Sequence, residues 1–496
     1  MPAPVPTLLH DRIRAHGSRP AVSDPRRTLS YADLLDAASR VAAGILARGR
    51  ASKGERVAFL THPDTTYVAT LLGIWSAGAM AVPIRPGLPR PEIAYVLDDA
   101  DPVALVVDAA LAPQVRQLAA DRRVPVLVVD DLTSPAASLL QVTADDPALM
   151  LYTSGTTGRP KGVVHTHGSL AAQITALVEA WRWQPRDGIL LVLPLHHVHG
   201  IVNVLCCALW TGAVCEMAGG FEATAVWERF AAGGVTLFMA VPTIYHRLIA
   251  AWEAADAPTR ERWSRGARDL RLMVSGSAAL PVPTLERWRE ITGHVLLERY
   301  GMTEIGMALS NTLEERVPGS VGSPLPGVEV RVVDEAGRDV GEGEPGELLV
   351  RGPTLFRGYW RRPEATAASF DAGWFRTGDV VVREEGRYRI LGRASVDIIK
   401  TGGEKVSALE IEDVLRGHEA VSDCAVVGVD DPDWGERVCA AVVTVDGTAV
   451  DVEALRAWCK ERLAPSKVPR EVRTVAALPR NAMGKVTKPE VARLFG

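Results

Sequence analysis

Between residues 56 and 297, short runs rich in Val, Ile, Leu and Ala alternate with segments of helical period, and each run ends in a polar or glycine-rich loop. The runs span 56–60, 79–84, 103–107, 124–129, 148–152, 189–193, 236–240, 270–274 and 294–297, with helical patterns such as 31–47 and 64–77 beside them. That rhythm predicts a largely parallel α/β core. Folds of this kind bind ligands in the loops at their strand ends, so the chemistry is expected there.

The pattern changes after residue 315. Pro318, Gly319, Gly322, Pro324, Pro326 and Gly327, then Gly337, Gly341, Gly343, Pro345 and Gly346, punctuate short strands and predict a small antiparallel β region. From about residue 393 a second unit follows, with helix patterns at 410–416, 452–463 and 489–495 and strand patterns at 423–429 and 437–445. About 100 residues suffice for a small α+β lid. The expected fold class is α/β, with a large N-terminal domain of α/β sheets plus a small β region, and a small α+β C-terminal domain.

At 496 residues and 47% hydrophobic, the chain can bury cores for more than one domain. The formal charge is −5 with acids and bases interspersed, which argues against nucleic-acid or polybasic membrane binding. The apolar stretch 201–215 contains Asn203 and falls short of the ~20 residues a membrane span needs, so a buried helix and strand are expected. Cys206, Cys207, Cys215, Cys424, Cys439 and Cys459 form no CxxC pair and read as buried thiols of a reducing compartment. Residues 1–20 hold no signal-peptide apolar core. A cytoplasmic protein with no evident protein partner is expected.

The most specific loop is Thr153-Ser154-Gly155-Thr156-Thr157-Gly158, followed by Lys161. Its glycines free the backbone, its hydroxyls donate to anionic oxygens, and its lysine adds a mobile positive charge, a set suited to phosphate. A P-loop would read GxxxxGK[ST] and run into a helix, whereas here Pro160 occupies the place of that helix. A plain Ser/Thr/Gly turn accounts for part of the string but not all of it. His196, His197 and His199 are poorly spaced for a zinc site, so a histidine lining a substrate cavity is the preferred reading. In Arg299-Tyr300-Gly301-Met302-Thr303-Glu304, Tyr300 offers a face for a purine, Thr303 a hydroxyl and Glu304 a hard oxygen ligand, though packing or a surface turn explains each singly. Asp379 suits a ribose diol, or a β-turn. Lys485 beside Gly484 is a catalytic candidate only in this company.

Together and in this order, YTSGTTGRPKGV, LPLHHVHG, RYGMTE, RTGD, GRASVDIIKTGGEKVSALEIE and PRNAMGK resemble the adenylate-forming acyl-CoA synthetase superfamily over nearly the whole chain. The resemblance implies an AMP-binding domain at 1–393, a hinge at 394–397 and a mobile C-terminal lid at 398–496. It implies ATP, Mg²⁺ and coenzyme A, and a reaction through an acyl-AMP. By that likeness Thr153, Ser154, Gly155, Thr156, Thr157, Gly158 and Lys161 hold the leaving phosphates, and Glu304 and Thr156 place the Mg²⁺. Lys485 bridges the reacting carboxylate and the α-phosphate, with Thr303 and Glu304 also catalytic. Tyr300 and Gly276-Ser277-Ala278 flank adenine, while Asp379 and Arg393 bind ribose. A lid rotation between steps withdraws Lys485 and brings Lys400, Gly402 and Gly403 to line the CoA tunnel. One departure stands out: the usual hinge Asp or Lys two residues after Gly392-Arg393 is Ser395, with Asp397 following and one extra residue before Gly402.

Arg299 bears on which acid is used. A guanidinium at this strand end can clamp a second carboxylate bidentately, and burying it without an anion is costly. LERYGMTEIGMALSN and FMAVPTIYHRL resemble malonyl-CoA synthetases, which implies a small diacid, malonate with methylmalonate tolerated, held by Arg299 with His197, Ser277 and Arg247. In the alternative, Arg299 pairs with Glu298, and a pocket of Val202, Met239 and Met307 takes a medium-chain or aryl acid. An amino-acid adenylation enzyme would need an acid in Phe238-Met239-Ala240-Val241, which has none. A nucleotide-binding regulator with degenerate catalysis sits poorly with intact Lys485, Glu304 and Asp379.

Overall fold

The apolar runs sort into two sheets. In one, Val126–Val128, Ala104–Val107, Arg56–Leu60, Met80–Pro83 and Pro147–Thr153 lie parallel in that order. In the other, Val214–Met217, Gly188–Leu191, Leu237–Ala240, Leu272–Ser275 and Leu297–Met302 do the same. Several of these strands are buried along their whole length, which is why they read as continuous apolar runs and not as alternating ones. The computed structural model describes residues 8–48, 52–132, 140–153, 159–402, 404–445, 450–480 and 486–496.

Helices pack between and around the sheets. Thr65–Ser76 is buried on nearly every side and starts where the Asp64 side chain accepts the Thr66 N–H at 2.7 Å. His167–Ala180 starts from a reciprocal capping box between Thr166 and Ser169. The apolar stretch near residue 201 forms the expected helix and strand, but its first part, His199–Cys206, winds as a π-helix, a rare form frequent at functional sites. All six cysteines are free and buried. Among the described residues no helix is long and apolar enough to cross a membrane.

The glycine- and proline-punctuated region forms an antiparallel sheet of Glu329–Val333, Pro345–Arg351, Trp374–Glu384, Phe370–Asp371 and Arg387–Arg393. After the turn 394–397, Ile398–Thr401 joins a different sheet with Glu404–Ser407, Val421–Asp431, Gly435–Thr444 and Glu471–Thr474. That C-terminal unit has its own apolar clusters, around Ile411, Leu415, Val426 and Leu455 on one face and Val427, Val491 and Phe495 on the other.

Three motifs expected in loops belong partly to strands. Lys161 opens a strand, Lys161–Thr166, antiparallel to Pro147–Thr153, with Thr153 and Lys161 as register partners. Arg299 and Tyr300 lie within Leu297–Met302, because the antiparallel partner Gly306–Ser310 extends the strand past its apolar part. The segment 376–379 lies within Trp374–Glu384, at a break in register where Gly378 has φ +73°. Such a bulge re-aims the side chain beside it, here Asp379.

Candidate active site

Tyr300, Asp379 and Arg393 come from three strands and meet. The Tyr300 hydroxyl donates to Asp379 Oδ2 at 2.5 Å, and Arg393 Nε donates to Asp379 Oδ1 at 3.0 Å. Arg393 Nη2 also donates to the Thr377 carbonyl at 3.3 Å. Burial, with the Asp379 carboxylate beside it, holds the Tyr300 phenol well above its ordinary range, so it remains a donor. One carboxylate is thus held by a neutral hydroxyl on one oxygen and a guanidinium on the other.

Glu304 sits in the turn between Leu297–Met302 and Gly306–Ser310, and that turn is fastened on three sides. The His165 ring meets the Thr303 carbonyl at 2.6 Å, the Phe356 N–H donates to the Glu304 carbonyl at 2.7 Å, and the Thr354 hydroxyl donates to the Ile305 carbonyl at 2.9 Å. The Glu304 carboxyl is buried and accepts the Tyr359 hydroxyl at 3.0 Å. Burial raises its pKa, so a cation nearby is what would keep it ionised. The Lys161 ammonium lies 4.9 Å from the centre of the Tyr359 ring, which links the phosphate hairpin to Glu304. Tyr359 was not singled out in the sequence; its position after Gly358, in a two-residue strand pairing with Val163 and Val164, carries no chemical signal of its own. Thr153 and Lys161 are register partners at the hairpin mouth. Ser154, Gly155, Thr156, Thr157, Gly158, Gly403 and Lys485 lie outside the described residues.

Arg299 is 3% exposed and points onto the backbone of Gly276, where a Cβ would fall 2.7 Å from Cζ. Only glycine leaves the guanidinium that space. Its Nη2 donates to Ser277 Oγ at 3.3 Å, while Nε and Nη1 are buried with no hydrogen-bond partner. Burial pushes this guanidinium down to about 9, still cationic at neutral pH. The expected alternative pairing with Glu298 does not form: Glu298 accepts the Gly319 N–H at 2.9 Å instead. Adjacent residues of a strand face opposite sides, so the two charges are separated by the sheet itself.

The histidine that reaches this cluster is His199, whose Nδ1 lies 3.3 Å from Ser277 Oγ. Burial first, then the charges of Arg299 and His197, depress its pKa well below the ordinary value, and its Nε2 is buried without a partner. The His197 ring lies against that of His196, tilted by 46° with ring centres 4.0 Å apart. Asn203, four residues along the π-helix, is fully buried with both amide atoms unpartnered. Polar groups left in this condition cost about 1–3 kcal/mol each unless something fills the space between them. Ser277, with φ +70°, and Ala278 are exposed beside the cluster. Arg247 is exposed on the helix Pro242–Ala254, outside the contacts that join Arg299, Ser277 and His199.

Burial pushes the Glu298 carboxyl up to about 8, the Gly319 N–H opposing and Asp413 adding to the shift. A raised folded-state pKa means that folding takes up a proton, so the stabilisation is present below about 4.5 and is lost as pH rises through about 8. Unfolding midpoints of wild type and Glu298→Gln measured from pH 4 to 9 are therefore expected to diverge, the wild type losing stability relative to the variant as pH rises.

On the C-terminal unit, Lys400 is exposed and Gly402, at φ +59°, donates its N–H to the Trp434 carbonyl at 2.9 Å. A side chain at 402 would meet the Trp434 ring at 2.9 Å. Trp434 is 42% exposed, and the Arg470 guanidinium lies 3.6 Å from its ring centre.

A buried glutamate near Lys161, an aspartate held by Tyr300 and Arg393, and a buried guanidinium with two unpartnered nitrogens are the charged groups at these strand ends. The chain belongs to the AMP-binding enzyme family, which it matches over residues 9–360, and the family's C-terminal domain matches residues 410–485. Asp379 and Arg393 fall between the two matched segments. The chain is 45% identical to the mouse malonate–CoA ligase ACSF3, mitochondrial, over 97% of this chain and 89% of that protein. It superimposes on ATP-bound MatB from Rhodopseudomonas palustris with TM-score 0.90 at 34% identity, covering 99% of both chains. The apo form of MatB gives 0.82 at 35% identity, covering 98% of both.

Proposed function

We propose that this enzyme is an ATP-dependent malonate–CoA ligase that also accepts methylmalonate. The observation that carries the reading is Arg299, a buried guanidinium with two unpartnered nitrogens and no acid beside it among the described residues. A substrate carboxylate supplies the missing anion. An octanoate tail or a benzoate ring would leave those donors unsatisfied, at a cost that favours the diacid. Methylmalonate adds one methyl, worth only ~1–3 kcal/mol of discrimination.

In the first half-reaction one malonate carboxylate attacks the α-phosphorus of ATP, the bond to the β-phosphate oxygen breaks, and pyrophosphate leaves. Arg299 and Ser277 hold the distal carboxylate, with His199 nearby. Asp379 and Arg393 fix the ribose, and the Thr153–Lys161 hairpin takes the leaving phosphates. Glu304, a buried hard-oxygen donor, would hold Mg²⁺ together with Thr156, and the bound ion would neutralise phosphate charge. In the second half-reaction the thiol of CoA attacks the acyl carbonyl and AMP leaves. Lys485 serves the first step only and withdraws as the C-terminal unit turns about residues 394–397. Pyrophosphate release with malonate, methylmalonate, octanoate and benzoate tests the substrate; turnover of octanoate with none of malonate would reverse the assignment.

Trp434, exposed beside Gly402 and backed by Arg470, offers a face for the adenine of CoA. Trp434→Ala is expected to raise the KM for CoA about 5- to 100-fold, the loss of one base–aromatic stack, with adenylation unchanged. Steady-state kinetics with CoA varied, alongside pyrophosphate release, check both halves.

A further inference from the structure

The turn after Arg393 contains a single charged residue that touches both units. Asp397 Oδ2 accepts the backbone N–H of Arg393, the last residue of its strand, at 3.0 Å, and Oδ1 lies 2.8 Å from Lys488 Nζ. The two side chains are only 15% and 13% exposed. Ala394, Ser395 and Val396, the rest of the turn, carry no charge. Asp397 also closes the turn through its own N–H, which donates to the Arg393 carbonyl at 2.8 Å. Gly392 leaves room for this arrangement: a Cβ there would fall 2.4 Å from the Cβ of Asp397.

Lys488 opens the helix Lys488–Ala492, three residues beyond Lys485. It is rooted in the C-terminal unit by Glu412 Oε1 at 2.7 Å and by the Val426 carbonyl at 2.9 Å. The segment carrying Lys485 is closed at its base, where the Thr487 N–H donates to the Pro479 carbonyl at 2.9 Å and Arg480 bridges to Val486. At the other end, the Arg393 side chain holds Asp379, which holds Tyr300. A continuous polar path therefore runs from Tyr300 and Asp379 through Arg393 and Asp397 to Lys488, at the root of the lysine segment.

We propose that Asp397 is a positioning residue, a latch that ties the Lys485 segment to the nucleotide site in this orientation of the two units; this rests on the assignment of Lys485 to adenylation. Its carboxylate joins one contact from each unit. Turning the C-terminal unit changes the backbone angles of residues 394–397, so one of the two contacts must break and the lysine segment is released. This orientation superimposes better on ATP-bound MatB, at TM-score 0.90, than on the apo form, at 0.82, so the latch is assigned to the first half-reaction and opens for the second. Asp397 takes this part in a turn that has Ser395 where an Asp or Lys is expected.

The test separates the half-reactions, with pyrophosphate release from ATP and malonate as one assay and CoA acylation from synthetic malonyl-AMP as the other. Asp397→Asn is expected to lower the adenylation kcat about 5- to 150-fold, the range of a typical coupling between sites, and to leave acylation from malonyl-AMP unaltered. Asp397→Glu, which keeps the charge, should recover part of the loss. Lys488→Met leaves Glu412 paired with Arg416 and the Val426 N–H, so it is the companion variant and should show the same split. Normal adenylation in folded Asp397→Asn overturns the latch, as does an equal loss in both half-reactions with a lowered melting temperature. Lys485→Ala is the control: if it still adenylates, the assignment beneath the latch falls with it, whereas a dead Lys485→Ala beside a normal Asp397→Asn removes the latch alone.

Discussion

Arg299→Met is expected to lower kcat/KM for malonate about 10²- to 10⁴-fold while raising that for butyrate, a monoacid that needs no counter-charge. The wild-type pocket holds a cation with two unpartnered nitrogens, so malonate binding satisfies donors that the protein leaves open. Methionine keeps much of the volume but offers nothing to a carboxylate. The ATP side should be untouched, since Tyr300, Asp379 and Arg393 make their contacts without Arg299. Stability should hold or rise, because the change removes a buried, unpaired charge in favour of an apolar group of similar size. An Arg299 that served only packing would give the opposite pattern, a lower melting temperature with the malonate-to-butyrate ratio preserved. Pyrophosphate release with both acids, together with a thermal melt, distinguishes the two.

Lys485→Ala is expected to lower adenylation about 10²- to 10³-fold, the usual effect of removing one group that stabilises charge developing in a transition state. Negative charge gathers around the α-phosphorus as the carboxylate oxygen approaches and the pyrophosphate departs, and an ammonium between the two reactants offsets it. The second half-reaction begins from a finished acyl-AMP and has no such need. CoA acylation from supplied malonyl-AMP should therefore survive in the same variant. Equal loss in both assays would contradict the role.

Candidate site residues can be picked from the sequence where the chemistry dictates residue type. The hydroxyls and glycines of 153–158, the carboxylates Glu304 and Asp379, and the cation Arg299 stand out because few other side chains do those tasks. Tyr359 and Asn203 were not legible. An aromatic after a glycine, or an asparagine in an apolar run, gains meaning only from what faces it, and those neighbours lie far away in sequence. His197 and His199 illustrate the limit: the motif presents both, and only the π-helical winding brings the second to Ser277.

The α/β class, the parallel strands and the separate C-terminal unit followed from hydrophobic period, which is local and so survives in a linear string. The motif order likewise identified an enzyme that activates a carboxylate with ATP. Tertiary structure decided which charges are paired. It turned Glu298 away from Arg299 across the sheet, left two nitrogens of that guanidinium without a partner among the described residues, and set Asp397 between Arg393 and Lys488. The reason is that burial and pairing are properties of distant segments brought together, and the energy of a charge depends on them more than on its sequence neighbours.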